Sequence, residues 1–308
     1  MKKIVLSQTC QGLVLKQLLL SSDAFKKDFE CTFIPNYEIQ DGKPGLAPPT
    51  ALQEAIKTCN VLIYHDIAHY DFPTLLRQMP PGGVAIKIPY ITSTIYWPTY
   101  EYQNPFWLCP RGTTALIPWP CTVLNELIVS LRDKKKILDA YLETDIPSCL
   151  DMDRSCTSQI AYLHSAEAGS IFNIAEFVET HFRDTQLFHL INHPARPVFL
   201  ELANAIFTHL DMPLLKDFRS DPFATHQIPI HPSIMRHYNL SWCDETTEFQ
   251  LMDKSFTFSE YVALYIDLYI EKFQYTRFPS LQDQKKKLPG LLKKLTAFFS
   301  RRRDTSVP

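Results

Sequence analysis

Cys10 occupies a position at which a thiol can do chemistry. It follows the apolar run Ile4-Val5-Leu6 and a polar corner, Ser7-Gln8-Thr9. With Gln11 it opens a segment whose apolar residues, Val14, Leu15, Leu18 and Leu19, have the spacing of a helix with one buried face. A thiol in the first turn of a helix meets the positive end of the helix dipole and backbone N–H groups with no intrahelical partner. Such surroundings lower a cysteine's pKa and offer donors to an oxyanion. A small buried hydrophobe is the competing account of the same residue. Two further strand ends carry polar side chains: His65-Asp66 after Asn60–Tyr64, and His193 after Leu187–Ile191. In a parallel sheet the carboxyl ends of all three strands face one edge, where open α/β sheets bind their ligands. His65 and Asp66 equally suit a helix cap, and His193 a hydrogen-bonded core position.

The elements that must position these groups are legible along the first 120 residues. Cys31–Pro35 reads as a second strand, Pro49–Cys59 as a helix and Asn60–Tyr64 as a third strand. Phe72–Met79 forms a short helix, Pro80-Pro81-Gly82-Gly83 a turn and Val84–Ile88 a fourth strand. Repeated strand–helix units with continuous apolar strands predict a parallel, doubly wound sheet. Between 90 and 120, Tyr90, Tyr96, Trp97, Tyr100, Tyr102, Phe106, Trp107 and Trp119 alternate with prolines, so this stretch cannot be a regular helix. It suits either a rigid loop packed over the core or a pocket wall on which adenine or a sugar stacks. Residues 121–183 read as helical, and Leu187–Ile191 returns to strand ahead of an amphipathic helix through Phe199, Leu202, Ala203, Ile206 and Leu210. The final third holds Ile228-Pro229-Ile230-His231-Pro232 and a helix over Glu260–Phe273. The expected organisation is an α/β catalytic domain over 1–240 with a helical insertion around 121–183, a helical extension over 241–283 and a basic amphipathic tail over 284–308.

Composition narrows the function. A chain of 308 residues with 45% hydrophobic and 12% aromatic content builds a substantial core. A formal charge of −2 argues against general nucleic-acid affinity. With only 8 glycines, neither GxGxxG nor a Walker-type phosphate loop occurs. The 8 cysteines are scattered and form no CxxC pair, which disfavours a zinc cluster and fits a reducing cytoplasm. Lys16 and the polar corner interrupt any signal-peptide core, and no run of 18 apolar residues exists, so an unexported protein without a spanning helix is expected.

The motifs resemble two related plans. Ile191-Asn192-His193-Pro194 with its following helix is similar to the late histidine block of SGNH hydrolases, in which a nucleophile follows the first strand; the acid usually found three residues before that histidine is replaced by Leu190. A closer resemblance is to the WcbI-like family of capsule-polysaccharide biosynthesis proteins, regarded as acetyltransferases that bind coenzyme A. Its Gly-Asn-Cys-Gln corner resembles Gln8-Thr9-Cys10-Gln11, without the Gly-Asn pair. Tyr64-His65-Asp66, Met79-Pro80-Pro81-Gly82-Gly83, Ile88-Pro89-Tyr90, Asn192-His193-Pro194 and Leu240 follow in similar order, so the likeness spans roughly residues 3–240. It implies an α/β fold with an SGNH- or flavodoxin-like parallel sheet elaborated by a large helical portion. It also implies a coenzyme-A-dependent O-acetyltransferase that takes acetyl-CoA as co-substrate, acts on a saccharide or glycan precursor and needs no metal.

On that plan His193 is the base for Cys10 or for an incoming hydroxyl, and His65 and Asp66 orient it or bind substrate. Cys10 either accepts the acetyl group or only shapes the oxyanion site. Gln11, Lys87, Tyr90, Arg111 and Arg196 are the candidates for coenzyme A. Two rivals share these residues: an esterase or deacetylase using Cys10 and His193 with water, and a non-catalytic coenzyme-A or glycan-binding protein. The tail adds a partner. From 284 to 303, Leu288, Leu291, Leu292, Leu295, Phe298 and Phe299 share one helical face, with lysines and arginines around them. That pattern suits a helix lying on an anionic membrane, or a solvated helix packing its leucines on the protein. The expected location is cytoplasmic, with peripheral membrane contact through the tail on the first of these two accounts.

Overall fold

The computed structural model of the protein describes residues 1–36, 39–40, 43–44, 48–66, 71–101, 106–111 and 117–278. The basic tail and Tyr102 lie outside them. The chain forms two compact units, one from Met1–Ser93 with Ile160–Ala224 and the other from Thr94–Gln159 with the described part of Thr225–Pro308. Among the described residues no helix is long and apolar enough to cross a membrane.

The first unit is built on a parallel sheet of four strands: β1 (Lys2–Gln8), β2 (Phe29–Pro35), β3 (Val61–His65) and β4 (Val84–Ile88), in the order β2-β1-β3-β4. Ser7 lies opposite Ile34 on one side and Tyr64 on the other, and His65 lies opposite Ile88. Ile4–Leu6 of β1 and Val61–Tyr64 of β3 are apolar on both faces because both faces are covered, as a parallel sheet requires. The connecting helices are α1 (Gln11–Leu19), α2 (Asp23–Asp28), α3 (Thr50–Ile56) and α4 (Phe72–Leu76). Val5, Ile34, Leu62 and Tyr64 pack against Leu52 and Ile56 of α3 and Phe72 and Leu75 of α4. On the opposite face α1 lies against β1 and β2 through Gly12. A Cβ there would stand 2.5 Å from the Phe33 ring and 2.9 Å from Gln8 Cβ, so only glycine permits this approach. The chain leaves β1 for β2 on one side and returns to β3 on the other. The carboxyl ends of β1 and β3 therefore flank the point where the strand order reverses.

The late strand departs from expectation. Phe188–Leu190 does not join the parallel sheet but turns back to pair antiparallel with His193–Pro194. Three residues followed at once by a reversal leave no length for the crossover a parallel partner needs. His193 therefore reaches the site from a hairpin rather than from the end of a parallel strand.

The second unit packs helices Thr122–Leu131, Lys134–Leu142 and Phe258–Phe273 together. Thr257 and Glu260 close a reciprocal capping box at the start of the last of these. Tyr96, Trp97, Tyr100, Phe106 and Trp119 are buried here, so most of the aromatic, proline-rich segment is core and only Trp107 among its tryptophans is exposed. Trp97 donates its indole N–H to the carbonyls of Ile228 and Pro229, 3.2 Å from each. His231 Nε2 donates to the Tyr141 carbonyl at 3.0 Å, and its Nδ1 lies 2.8 Å from Ser233 Oγ and 3.2 Å from Ser233 N. These bonds satisfy both ring nitrogens, so His231 caps the following helix as a neutral imidazole. Burial holds its pKa down to about 4.

Candidate functional site

Cys10 caps α1 with its backbone and makes no side-chain cap. Burial raises its thiol above the usual range, outweighing the Thr9 hydroxyl and the N–H groups of Cys10 and Gln11 that favour the thiolate. The sequence reading expected the opposite sign. The helix start does direct its donors at the sulfur, yet desolvation wins.

Gln11 locks this turn in place. Its buried side-chain amide donates to the carbonyls of Ile91, at 2.7 Å, and Asn192, at 3.0 Å, and accepts from Ile91 N at 3.3 Å. One side chain thus joins the start of α1, the segment after β4 and the hairpin that carries His193. Ser93 N bonds the Ile191 carbonyl at 2.9 Å and reinforces the same junction. Cys10 and His193 are each the sequence neighbour of a residue at one end of the Gln11–Asn192 bond, which ties the Cys10 turn to the His193 hairpin. With its amide fully used by backbone, Gln11 acts as a clamp rather than as a side chain presented to a ligand.

A strap over 221–223 supports the hairpin. Phe223 stacks on the His193 ring with centroids 3.9 Å apart and planes 7° from parallel. Two residues earlier, Asp221 Oδ2 lies 2.8 Å from His189 Nε2 and accepts from Arg196 N at 3.0 Å. Burial pushes the Asp221 carboxyl up, but the hydrogen bonds from His189 and Arg196 hold it below its ordinary value. Sequence reasoning missed His189, Asp221 and Phe223.

His65 and Asp66 part company. Asp66 is exposed and pairs with Lys87, Oδ2 to Nζ at 3.1 Å. His65 is fully buried, with its ring 5.6 Å from that of Tyr90, and burial drives its pKa down to about 3. It is neutral at any physiological pH. Arg196 directs its guanidinium to the Phe218 carbonyl at 3.2 Å and Asp217 at 3.7 Å, while its own N–H at the helix start is taken by Asp221. Arg111 belongs to the second unit and pairs with Glu271 at 2.6 Å. Among the described residues no cluster of three His, Cys, Asp or Glu is arranged to hold a metal ion.

A family profile described as the polysaccharide biosynthesis enzyme WcbI matches residues 3–215. None of the curated proteins matches the chain. A solved structure of WcbI, described as a novel polysaccharide biosynthesis enzyme in its native form without a disulfide bond between coenzyme A and a cysteine, superposes with a TM-score of 0.75 at 19% identity, covering 96% of this chain and 98% of that one. That superposition establishes the shared α/β fold. With more than half of its length matched by the family profile, the chain belongs to the WcbI family of polysaccharide biosynthesis enzymes.

Proposed function

We propose that the protein transfers an acetyl group from acetyl-CoA to a hydroxyl of a saccharide or glycan precursor. The observation that supports this reading is the Gln11–Asn192 bond, which ties the start of α1 to the hairpin that carries His193. His193 takes the proton of the acceptor hydroxyl, whose oxygen then attacks the thioester carbonyl. The tetrahedral intermediate collapses as the C–S bond breaks, and the coenzyme A thiolate recovers the proton from His193. N–H groups at the start of α1 stand where an oxyanion would be stabilised. The raised pKa of Cys10 favours direct transfer over an acyl-cysteine, because little thiolate exists at neutral pH. Cys10 then lines the thiol end of coenzyme A; the solved relative is one for which a coenzyme A–cysteine disulfide is named, as absent from that native form.

Lys87 and Arg196 are the cations of this unit best placed to exchange their carboxylate partners for the phosphates of coenzyme A. Exposed ion pairs are worth only about 0.2–1 kcal/mol, so the exchange costs little. None of the 8 cysteines is in a disulfide, which suits a reducing, cytoplasmic setting. Two measurements test the reading. Millimolar coenzyme A or acetyl-CoA should raise the melting temperature, and His193→Gln should slow acetyl transfer by roughly 10²–10⁴ without weakening that shift. Hydrolysis of acetyl esters with no response to coenzyme A would instead favour an esterase.

A further inference from the structure

At the carboxyl edge of the sheet, Ser7 and Asn36 are 0% exposed and Gln8 and His65 1% exposed, and the side-chain polar atoms of all four lack a hydrogen-bond partner. Native proteins leave few buried polar groups unsatisfied, and such a concentration at one sheet edge is costly to the fold. Gln8 and His65 share a position: one register step beyond the Ser7–Tyr64 pair sets them side by side on adjacent strands. Gly12 presses against Gln8, so the pair lies beside the first turn of α1 that follows Cys10.

We infer that Gln8 and His65 form an uncharged hydrogen-bonding recess that receives a neutral hydroxyl- or amide-bearing part of the ligand. The inference rests on the transferase reading, which supplies two sources of that chemistry: the hydroxyls of a sugar acceptor and the amides of the pantetheine arm. The donor and acceptor sets agree with it. A glutamine amide offers two N–H donors and one oxygen, and a neutral imidazole offers one donor and one acceptor. Desolvation alone, with no neighbouring charge, acts on His65. A phosphate or carboxylate held here would be buried opposite no cation, which is strongly unfavourable. Burial that keeps His65 uncharged points the same way.

The test uses the full chain and the variants Gln8→Met and His65→Phe, measured by thermal melting and calorimetric titration against methyl glucoside, N-acetylglucosamine, pantetheine and inorganic phosphate. Replacing an unpartnered buried polar group with an apolar one of similar size removes a desolvation cost, so both variants should melt higher without ligand. The same change should weaken binding of the neutral probe roughly tenfold, whichever it proves to be, while phosphate binds neither wild type nor variants at this site. A response confined to the glycosides assigns the recess to the acceptor, and one confined to pantetheine assigns it to coenzyme A. Lower melting in both variants would show groups held by ordered water as part of the fold, and would overturn the inference. Unchanged affinity for every probe, or no binding of any neutral probe by wild type, would do the same. Coenzyme A binding by wild type is read separately: its loss defeats the transferase reading while leaving a glycoside-binding recess standing.

Discussion

Replacing Gln11 with alanine should damage both the fold and the site, because three chain segments depend on one amide. The substitution removes hydrogen bonds of 2.7, 3.0 and 3.3 Å and leaves the Ile91 carbonyl, the Ile91 N–H and the Asn192 carbonyl without partners. An orphaned buried group costs about 1–3 kcal/mol. The Asn192 side is only partly buried and recovers some of that from water, so the expected loss is roughly 3–5 kcal/mol. Against a typical stability of about 5–15 kcal/mol this is a large fraction. Gln11→Glu is the sharper variant. At neutral pH its carboxylate would face two carbonyl oxygens, and it should be less stable than the alanine variant. Protonation below about pH 5 would restore one donor and part of the stability. Urea unfolding monitored by fluorescence gives the midpoint, with an unchanged slope confirming that stability alone has moved. The freed turn should also change the alkylation rate of Cys10 by iodoacetamide. A loss below about 1 kcal/mol for Gln11→Ala, with Cys10 reactivity untouched, would refute the clamp.

Acid should destabilise the protein well above the carboxylate range. His65 and His231 have folded pKa values of about 3 and about 4, below the 6.5 of the unfolded chain, so stability falls as pH drops from 6.5 toward 4. Two such sites give a slope approaching roughly 2.7 kcal/mol per pH unit, and urea midpoints at successive pH values should show it halved in His65→Phe. Phe223→Leu removes the ring stacked on His193. The upfield ring-proton signals of His193 should then move toward solvent values and kcat should fall with KM unchanged, whereas Phe223→Tyr should retain both. Cys10→Ser should keep most transfer activity if the acetyl group passes directly to the acceptor; an abolished rate with intact coenzyme A binding would restore the acyl-cysteine route. Thr257→Ala opens the capping box of the helix Phe258–Phe273 and should cost about 1 kcal/mol in a thermal melt.

The sheet was legible because its central strands carry continuous apolar runs: Ile4–Leu6 and Val61–Tyr64 suit strands covered on both faces. The site was legible only in part. Cys10, His65 and His193 announce themselves as polar groups at strand ends, but the bonds that tie the Cys10 turn to its surroundings join residues 80 and 181 positions apart, and a glutamine bonded to backbone leaves no pattern in the chain. The hairpin at His193 escaped for the same reason, since a two-residue strand has no periodicity to read. Aromatic, proline-rich composition is shared by packed loops and ligand walls, so only burial separated the two for Tyr96 and Trp97. The sign of the Cys10 shift was hidden as well. A sequence displays a helix start, whereas the depth of burial around it is a property of the whole unit.

Desolvation unites the residues at this edge. It keeps Cys10 a thiol, holds His65 neutral and leaves Gln8 with unpartnered amide atoms, all beside the first turn of α1. A hydrolase needs water at its acyl group. A transferase must exclude it, because a water molecule competes with the acceptor hydroxyl for the same carbonyl. Low polarity also strengthens each N–H directed at a developing oxyanion, since the interaction is less screened than in bulk water. The environment that makes Cys10 a poor nucleophile is therefore the one that suits the direct acyl transfer we propose, in which His193, stacked against Phe223, serves as the base.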